Sequence, residues 1–332
     1  MITNKKNNAM KTLETNFAGL KLRTPFIVSS SSLTDSAEKN WQWERASAGA
    51  VVLKSLFEEE IEAEADWMNE GAHAEELDYL KAYHRAHRLE EYLNLIRETK
   101  EACVIPVIAS INCYRLAEWT EFAEKIEQAG ADALELNIMS VNTDINDEYG
   151  NFERMHLEIV DKVKQKTTIP IIVKLGKNLT NPLRLIHQLY AHGVAGVVLF
   201  NRMVNTDIDT YNKTYSMGEV FSHPTDLYDS LRWTGLASHH VPKLTYAVSG
   251  GVSDGLAMVK AILAGASAVE VCSALYRDKS KTIHHMLTLL ENWMENNGYE
   301  NINEFRGILN AGKGGGAAFE RAQFFKHFGK YE

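Results

Sequence analysis

Ala129-Gly130-Ala131-Asp132-Ala133-Leu134-Glu135-Leu136-Asn137-Ile138-Met139-Ser140-Val141-Asn142 passes from a glycine that ends a helix, through a short apolar run, into a loop of polar side chains. A buried strand that opens into hydrogen-bonding residues is the unit from which the rest of the chain can be read. Asparagine carries both an acceptor and a donor, so Asn137 and Asn142 can pair with alternating C=O and N–H groups of a planar ring, and Ser140 adds a small hydroxyl. The same letters also fit an asparagine-rich turn that caps a strand.

Working outward, short β-rich runs recur at 26–30, 50–54, 104–111, 133–137, 170–175, 196–201, 244–250 and 268–274. Amphipathic stretches separate them, as parallel strands joined by helical crossovers require. The runs are almost continuously apolar, which implies burial on both faces. Trp119, Phe122, Ala123 and Ile126 form one helical stripe; Leu256, Val259, Ile262 and Leu263 form another. A third comprises Ile283, Met286, Leu287, Leu290 and Met294. Ala129-Gly130-Ala131 and Ala264-Gly265-Ala266 end helices before the next strand.

Eight such units predict an α/β chain folded as a single (β/α)8 TIM barrel, with chemistry at the carboxyl ends of the strands. The barrel is expected over 11–310, after a disordered leader at 1–10 and before a Gly-rich hinge and helical tail at 311–332. An open doubly wound sheet needs a Gly-rich fingerprint after its first strand, and Ser29-Ser30-Ser31-Ser32 supplies none.

The 332 residues are 45% hydrophobic and 24% charged, enough for one large core, and no linker divides them. A net charge of −9 argues against a nucleic-acid surface. Cys103, Cys113 and Cys272 show no paired spacing, so neither a disulfide framework nor a metal site is expected, and a reducing cytoplasm fits best. No run is long enough for a membrane span. His84 and His87, His239-His240 and His284-His285 lack ligand-spaced partners and read as solvated or packing residues. Glu58, Glu59, Glu60, Glu62 and Glu64 read as a solvated face.

The predicted strand ends gather Ser29, Ser30, Ser31 and Ser32, Lys54 and Ser55, Ser110 and Asn112, Asn137 to Asn142, Lys174, Asn201, Ser249, Gly250 and Gly251, and Cys272 and Ser273 at one mouth. Lys54 and Lys174 end buried strands, so each needs a negative partner or a wet cleft; snorkelling to the rim is the bland reading. Ser249-Gly250-Gly251, with Ser253 or Asp254 capping the next helix, and Cys272-Ser273 stand where barrels hold phosphates. A phosphate clamp, two lysines and a polar floor suit a phosphorylated planar cofactor such as FMN.

These motifs resemble the dihydroorotate dehydrogenase family and the related flavin domain of dihydropyrimidine dehydrogenases, from about Leu20 to Leu309. The strings Ile108-Ala109-Ser110-Ile111, Gly130 to Asn137 and Val271-Cys272-Ser273-Ala274 are similar to the latter. The resemblance puts Ser140 in the place of the catalytic base. It implies that Asn137, Asn142 and Asn201 contact a dihydropyrimidine substrate, and that Lys54 and Lys174 lie against FMN, whose phosphate Gly250, Gly251 and Ser273 would hold. The implied reaction oxidises dihydroorotate or a related dihydropyrimidine, in pyrimidine biosynthesis: Ser140 takes a proton and hydride passes to flavin N5. Fumarate, a quinone or a partner subunit would then reoxidise the flavin. Such barrels often dimerise, though no feature here fixes an interface.

The chain also departs from the family pattern. Between Glu58 and Lys100 it lacks the Asn-Ser-Met-Gly-Leu-Pro-Asn type of substrate loop, Val141 replaces a usual proline, and Arg202 follows Asn201 where a small hydroxyl residue is common. Two other readings stay open. One is a barrel enzyme for a phosphorylated metabolite, with Lys174 as Schiff-base or electrostatic catalyst; the other is a non-catalytic flavin-binding module.

Overall fold

A computed structural model describes residues 12–59, 74–112, 116–139, 141 and 143–312. Eight parallel strands close on themselves: β1 (Phe26–Val28), β2 (Ala50–Val52), β3 (Val107–Asn112), β4 (Ala133–Ile138), β5 (Ile171–Leu175), β6 (Gly196–Leu199), β7 (Thr245–Ser249) and β8 (Ala268–Val271). Each pairs with the next, and β8 returns to β1, which makes the sheet a (β/α)8 barrel.

The helices α1 (Ala37–Arg45), α2 (Ala74–Ala102), α3 (Leu116–Gln128), α4 (Asn151–Lys164), α5 (Pro182–Ala191), α6 (Leu227–His240), α7 (Gly255–Ala264) and α8 (Ser280–Asn297) follow the strands in turn. Their ends carry the expected chemistry. Asp254 caps α7 by accepting from Ala257 N at 2.8 Å, and Gly265 ends it in the left-handed region at φ 119°.

Two separate apolar clusters record the period-two alternation of the strands. Outward residues such as Phe26, Val51, Val107, Leu134, Val173 and Val269 pack under the helices. Inward residues Ile27, Val52, Ile108, Ala133, Ile172, Val198, Ala247 and Ala268 fill the barrel's amino-terminal half. A hairpin of Thr15–Phe17 and Leu20–Leu22 lies across that end, and its Phe17, Ala18 and Leu22 join the inward cluster. Burying apolar surface at about 25 cal/mol per Å² makes this plug a large local contribution, although its short strands gave no periodic signal.

Several boundaries differ from the sequence reading. Val104 is exposed and β3 starts only at Val107, because Pro106 interrupts the run. Leu256 is exposed and Leu263 half-buried; Val259 and Ile262 of the same stripe are buried, joined by Ala257, Met258 and Ala261. Glu58 is buried rather than solvated, Glu59 is exposed, and Glu60, Glu62 and Glu64 lie outside the described residues. The stripes of α3 and α8 are buried as expected. A second hairpin, Thr206–Asp209 with Thr214–Met217, is inserted after β6. The predicted leader, Cys113 and the tail beyond Gly312 lie outside the described residues. No described helix is long and apolar enough to cross a membrane.

Candidate active site

Continuing each strand's inward parity past the apolar layer changes the chemistry of the barrel interior. Ile108 is followed inward by Ser110 and Asn112, Ala133 by Glu135 and Asn137, and Ile172 by Lys174. Ala247 leads to Ser249 and Ala268 to Glu270. Register then sets neighbours: Ser110 faces Glu135, Asn137 faces Lys174, and Ser249 faces Glu270. The result is a polar floor beneath the carboxyl ends of the strands, where barrel enzymes carry out their chemistry.

Lys174 is the centre of that floor and is only 5% exposed. Its Nζ donates to Glu270 Oε2 at 2.6 Å and to Ser29 Oγ at 3.0 Å, and lies 3.7 Å from Glu135 Oε1. Burial alone would discharge the amine, but Glu135 and Glu270 outweigh it and hold the ammonium above the ordinary lysine range. Burial and the adjacent Glu270 push the Glu135 carboxyl well above the usual carboxylate range, against the pull of Lys174. Snorkelling to the rim is therefore excluded for Lys174.

A row of hydroxyls runs from the mouth to this cluster. Ser30 Oγ is 2.9 Å from Ser55 Oγ, Ser55 Oγ is 2.8 Å from Ser110 Oγ, and Ser110 donates to Glu135 Oε1 at 3.4 Å. Tyr92 of α2 fixes the inner end, since its hydroxyl donates to Ser110 O at 2.9 Å and accepts from Ser110 N at 2.7 Å. On the other side Asn201 Nδ2 donates to Asn137 Oδ1 at 2.5 Å.

Above the floor lies a cavity of about 180 Å³ bordered by Ser30, Lys174, Asn201, Gly250, Glu270 and Ser273, among others. Gly250 and Gly251 both sit at positive φ, 83° and 70°. A side chain at Gly250 would have only Phe200 O nearby, at 3.9 Å, and would project into free space; one at Gly251 would meet Leu227 N at 2.4 Å. Burial pushes the Cys272 thiol up, which disfavours a reactive thiolate. Arg202 closes one side: its guanidinium donates to Val220 O and Glu219 O, each at 2.6 Å, and pairs with Asp226 Oδ2 at 3.3 Å. It ties down a neighbouring loop.

The structure thus gathers Ser30, Lys174, Asn201, Ser249, Gly250, Gly251, Cys272 and Ser273 around one cavity. Asn137 and Ser55 touch its lining through Asn201 and Ser30. Lys54 and Asn112 sit at the ends of β2 and β3 but do not border it; Lys54 is half-buried and Asn112 buried. Ser140 and Asn142 lie outside the described residues. Sequence reasoning missed Glu270 and gave Glu135 no role. A lone carboxylate in Ala268-Val269-Glu270-Val271 was the available signal, because a buried charge needs a partner and Lys174 needed one too.

Comparison with known proteins bears on what this site serves. The family model for dihydroorotate dehydrogenase matches residues 12–294. A Thermoplasma volcanium protein named dihydroorotate dehydrogenase B (NAD(+)), catalytic subunit, is 27% identical over 308 residues, covering 90% of this chain and 99% of its own. One of the same name from Pyrococcus abyssi is 28% identical over 305 residues, covering 89% and 98%. A Lactobacillus helveticus protein named dihydroorotate dehydrogenase A (fumarate) is 26% identical over 209 residues, covering 61% and 67%. A match over nearly the whole barrel places the chain in the dihydroorotate dehydrogenase family, as an oxidoreductase acting on a CH–CH bond.

Proposed function

We propose that the protein is an FMN-dependent oxidoreductase that oxidises dihydroorotate to the unsaturated pyrimidine. The observation that carries this reading is one cavity bordered by a charged Lys174, by Asn201 with Asn137 bonded behind it, and by the bare Gly250-Gly251 turn. The residues suit FMN. The free space at Gly250 leaves room for a phosphate against backbone, Ser273 stands beside it, and the Lys174 ammonium suits a ring edge that gains negative charge.

Bound FMN would supply the two-electron acceptor that no side chain here provides. The protein's own part is placement and charge. Asn137, held by Asn201, presents its remaining amide donor to a carbonyl of the substrate ring, and Asn142 is assigned the same task. Lys174 offers positive charge without a proton to lose, because its two carboxylate neighbours keep it protonated. Ser140 takes the proton from the carbon beside the substrate carbonyl. A hydroxyl does this only when it passes its own proton onward, so Ser140 acts within a relay.

Schiff-base chemistry at Lys174 fits less well, because it requires a neutral amine and this one is clamped as an ammonium. The relatives differ in the acceptor they are named for, NAD(+) in two and fumarate in a third. Anaerobic titration of the purified protein with dihydroorotate, dihydrouracil and dihydrothymine tests the reading. The protein is expected to be yellow and to bleach with dihydroorotate; a protein that cannot be reconstituted with FMN, or that no dihydropyrimidine bleaches, refutes it.

A further inference from the structure

We propose that Glu135, Lys174 and Glu270 form a proton-holding site beneath the cavity, in which two carboxyls share one proton and exchange it with the mouth along Ser110, Ser55 and Ser30. Its use as a proton store for the oxidation rests on the function proposed above; the shared proton and its path do not.

The count of charges comes first. Two ionised carboxylates and one ammonium leave a net negative charge in a part of the barrel where all three side chains are almost wholly buried. An uncompensated interior charge is strongly disfavoured, and one added proton removes it.

The hydrogen bonds say where that proton belongs. Glu135 Oε1 faces Ser110 and Lys174, and Glu270 Oε2 receives Lys174 and Ser29. Each carboxyl is left with one buried oxygen that has no hydrogen-bond partner among the described residues, Glu135 Oε2 and Glu270 Oε1. Both carboxyls crowd the same ammonium, Glu270 Oε2 at 2.6 Å and Glu135 Oε1 at 3.7 Å from Lys174 Nζ. A proton shared by two carboxyls gathered around one ammonium neutralises the cluster, the arrangement in which like-charged carboxyls cannot both ionise. The other ionisable groups among the described residues that face the cluster are Cys272, at the end of β8, and Tyr92, from α2; burial holds both in their neutral forms.

The path consists of groups that both donate and accept. Release starts with the proton on Glu135 Oε1, the oxygen that faces Ser110: as the Ser110 hydroxyl turns away from it, Ser110 Oγ accepts that proton and passes its own to Ser55, Ser55 to Ser30, and Ser30 to the cavity. One proton is lost by the pair and one is gained at the mouth, and no electrons move. Among the described residues Ser55 alone bridges Ser30 and Ser110.

Infrared spectroscopy of the full-length protein stripped of cofactor tests this without reference to flavin chemistry. A protonated-carboxyl C=O band is expected that moves on ¹³C labelling of glutamate and disappears in both Glu135→Gln and Glu270→Gln. Transfer to D2O should shift the band, about tenfold more slowly in Ser55→Ala than in the parent, with Ser55→Thr restoring the rate. Absence of a glutamate-derived band in the unsubstituted protein overturns the shared proton, so the test survives a variant that fails to fold. An unchanged exchange rate in Ser55→Ala overturns the path. Flavin bleaching is a separate measurement, so either proposal can fail alone.

Discussion

Asn201 Nδ2 donates to Asn137 Oδ1 across the intervening strand β5, and Asn201 Oδ1 in turn accepts from Arg202 N at 2.8 Å. Both polar groups of Asn201 are thereby used, whereas Asn137 keeps a free-facing amide donor whose direction Asn201 sets. Under the proposed function, Asn137 is then the contact residue and Asn201 the residue that orients it. Asn137→Ala is expected to lower kcat/KM for dihydroorotate about 100-fold, and Asn201→Ala only about tenfold, as loss of a direct and of an orienting hydrogen bond predicts. Stopped-flow flavin reduction checks this, and equal effects of the two changes would contradict the division of roles.

Lys174 holds two carboxyls together, so its removal should cost more stability than the loss of a surface ion pair. Lys174→Met leaves Glu135 and Glu270 facing each other without the cation, and a loss of about 3–5 kcal/mol is expected. Adding Glu270→Gln should recover part of it, because the repulsive partner is gone. Urea unfolding of the single and double variants reads both values. Strict additivity would mean that the pair does not couple.

The two glycines of the turn after β7 should fail in different ways. At Gly250 the left-handed backbone alone penalises an alanine, by about 1–2 kcal/mol, but the new methyl would enter the cavity. Gly250→Ala is expected to stay folded and bind FMN poorly. At Gly251 the methyl would collide with the backbone of Leu227, at the start of α6. A larger loss of thermal stability is expected there, on the order of 3 kcal/mol, in cofactor-free protein.

Ser140→Ala is expected to leave FMN bound while slowing substrate-dependent flavin reduction by roughly 10² to 10⁴. Stopped-flow reduction at the parental rate would remove Ser140 from the part of base.

The barrel was legible because parallel strands buried on both faces must be apolar almost throughout, and all eight runs are. Lys174, Gly250 and Gly251 stood out for a related reason: a charge or a paired glycine at the end of such a run has few structural uses. Glu270 escaped notice because its strand has only four residues and its meaning depends on a partner ninety-six positions away. The plug formed by Phe17 and Leu22 was equally hidden, since strands of three residues have no measurable period. Register across strands supplies what the one-dimensional pattern lacks. It turns Ser110 beside Glu135, and Asn137 beside Lys174, from separate letters into one surface.

His156 of α4 is fully buried, with its ring edge-on to Phe152 and Nδ1 2.7 Å from Phe152 O. Burial pushes this imidazole below its ordinary range, so the folded protein keeps it neutral where the unfolded chain protonates it. The unfolded state then binds more protons as pH falls below about 6.5, and stability must drop in that direction. The contribution is complete above that pH and is lost progressively toward the lower folded value. His156→Gln should therefore flatten the fall in unfolding free energy between about pH 7.5 and about pH 5, whatever it does to stability at neutral pH. Urea midpoints of parent and variant across that interval measure the difference. Parallel curves would mean that His156 titrates alike in both states and that the acid sensitivity of this fold lies elsewhere.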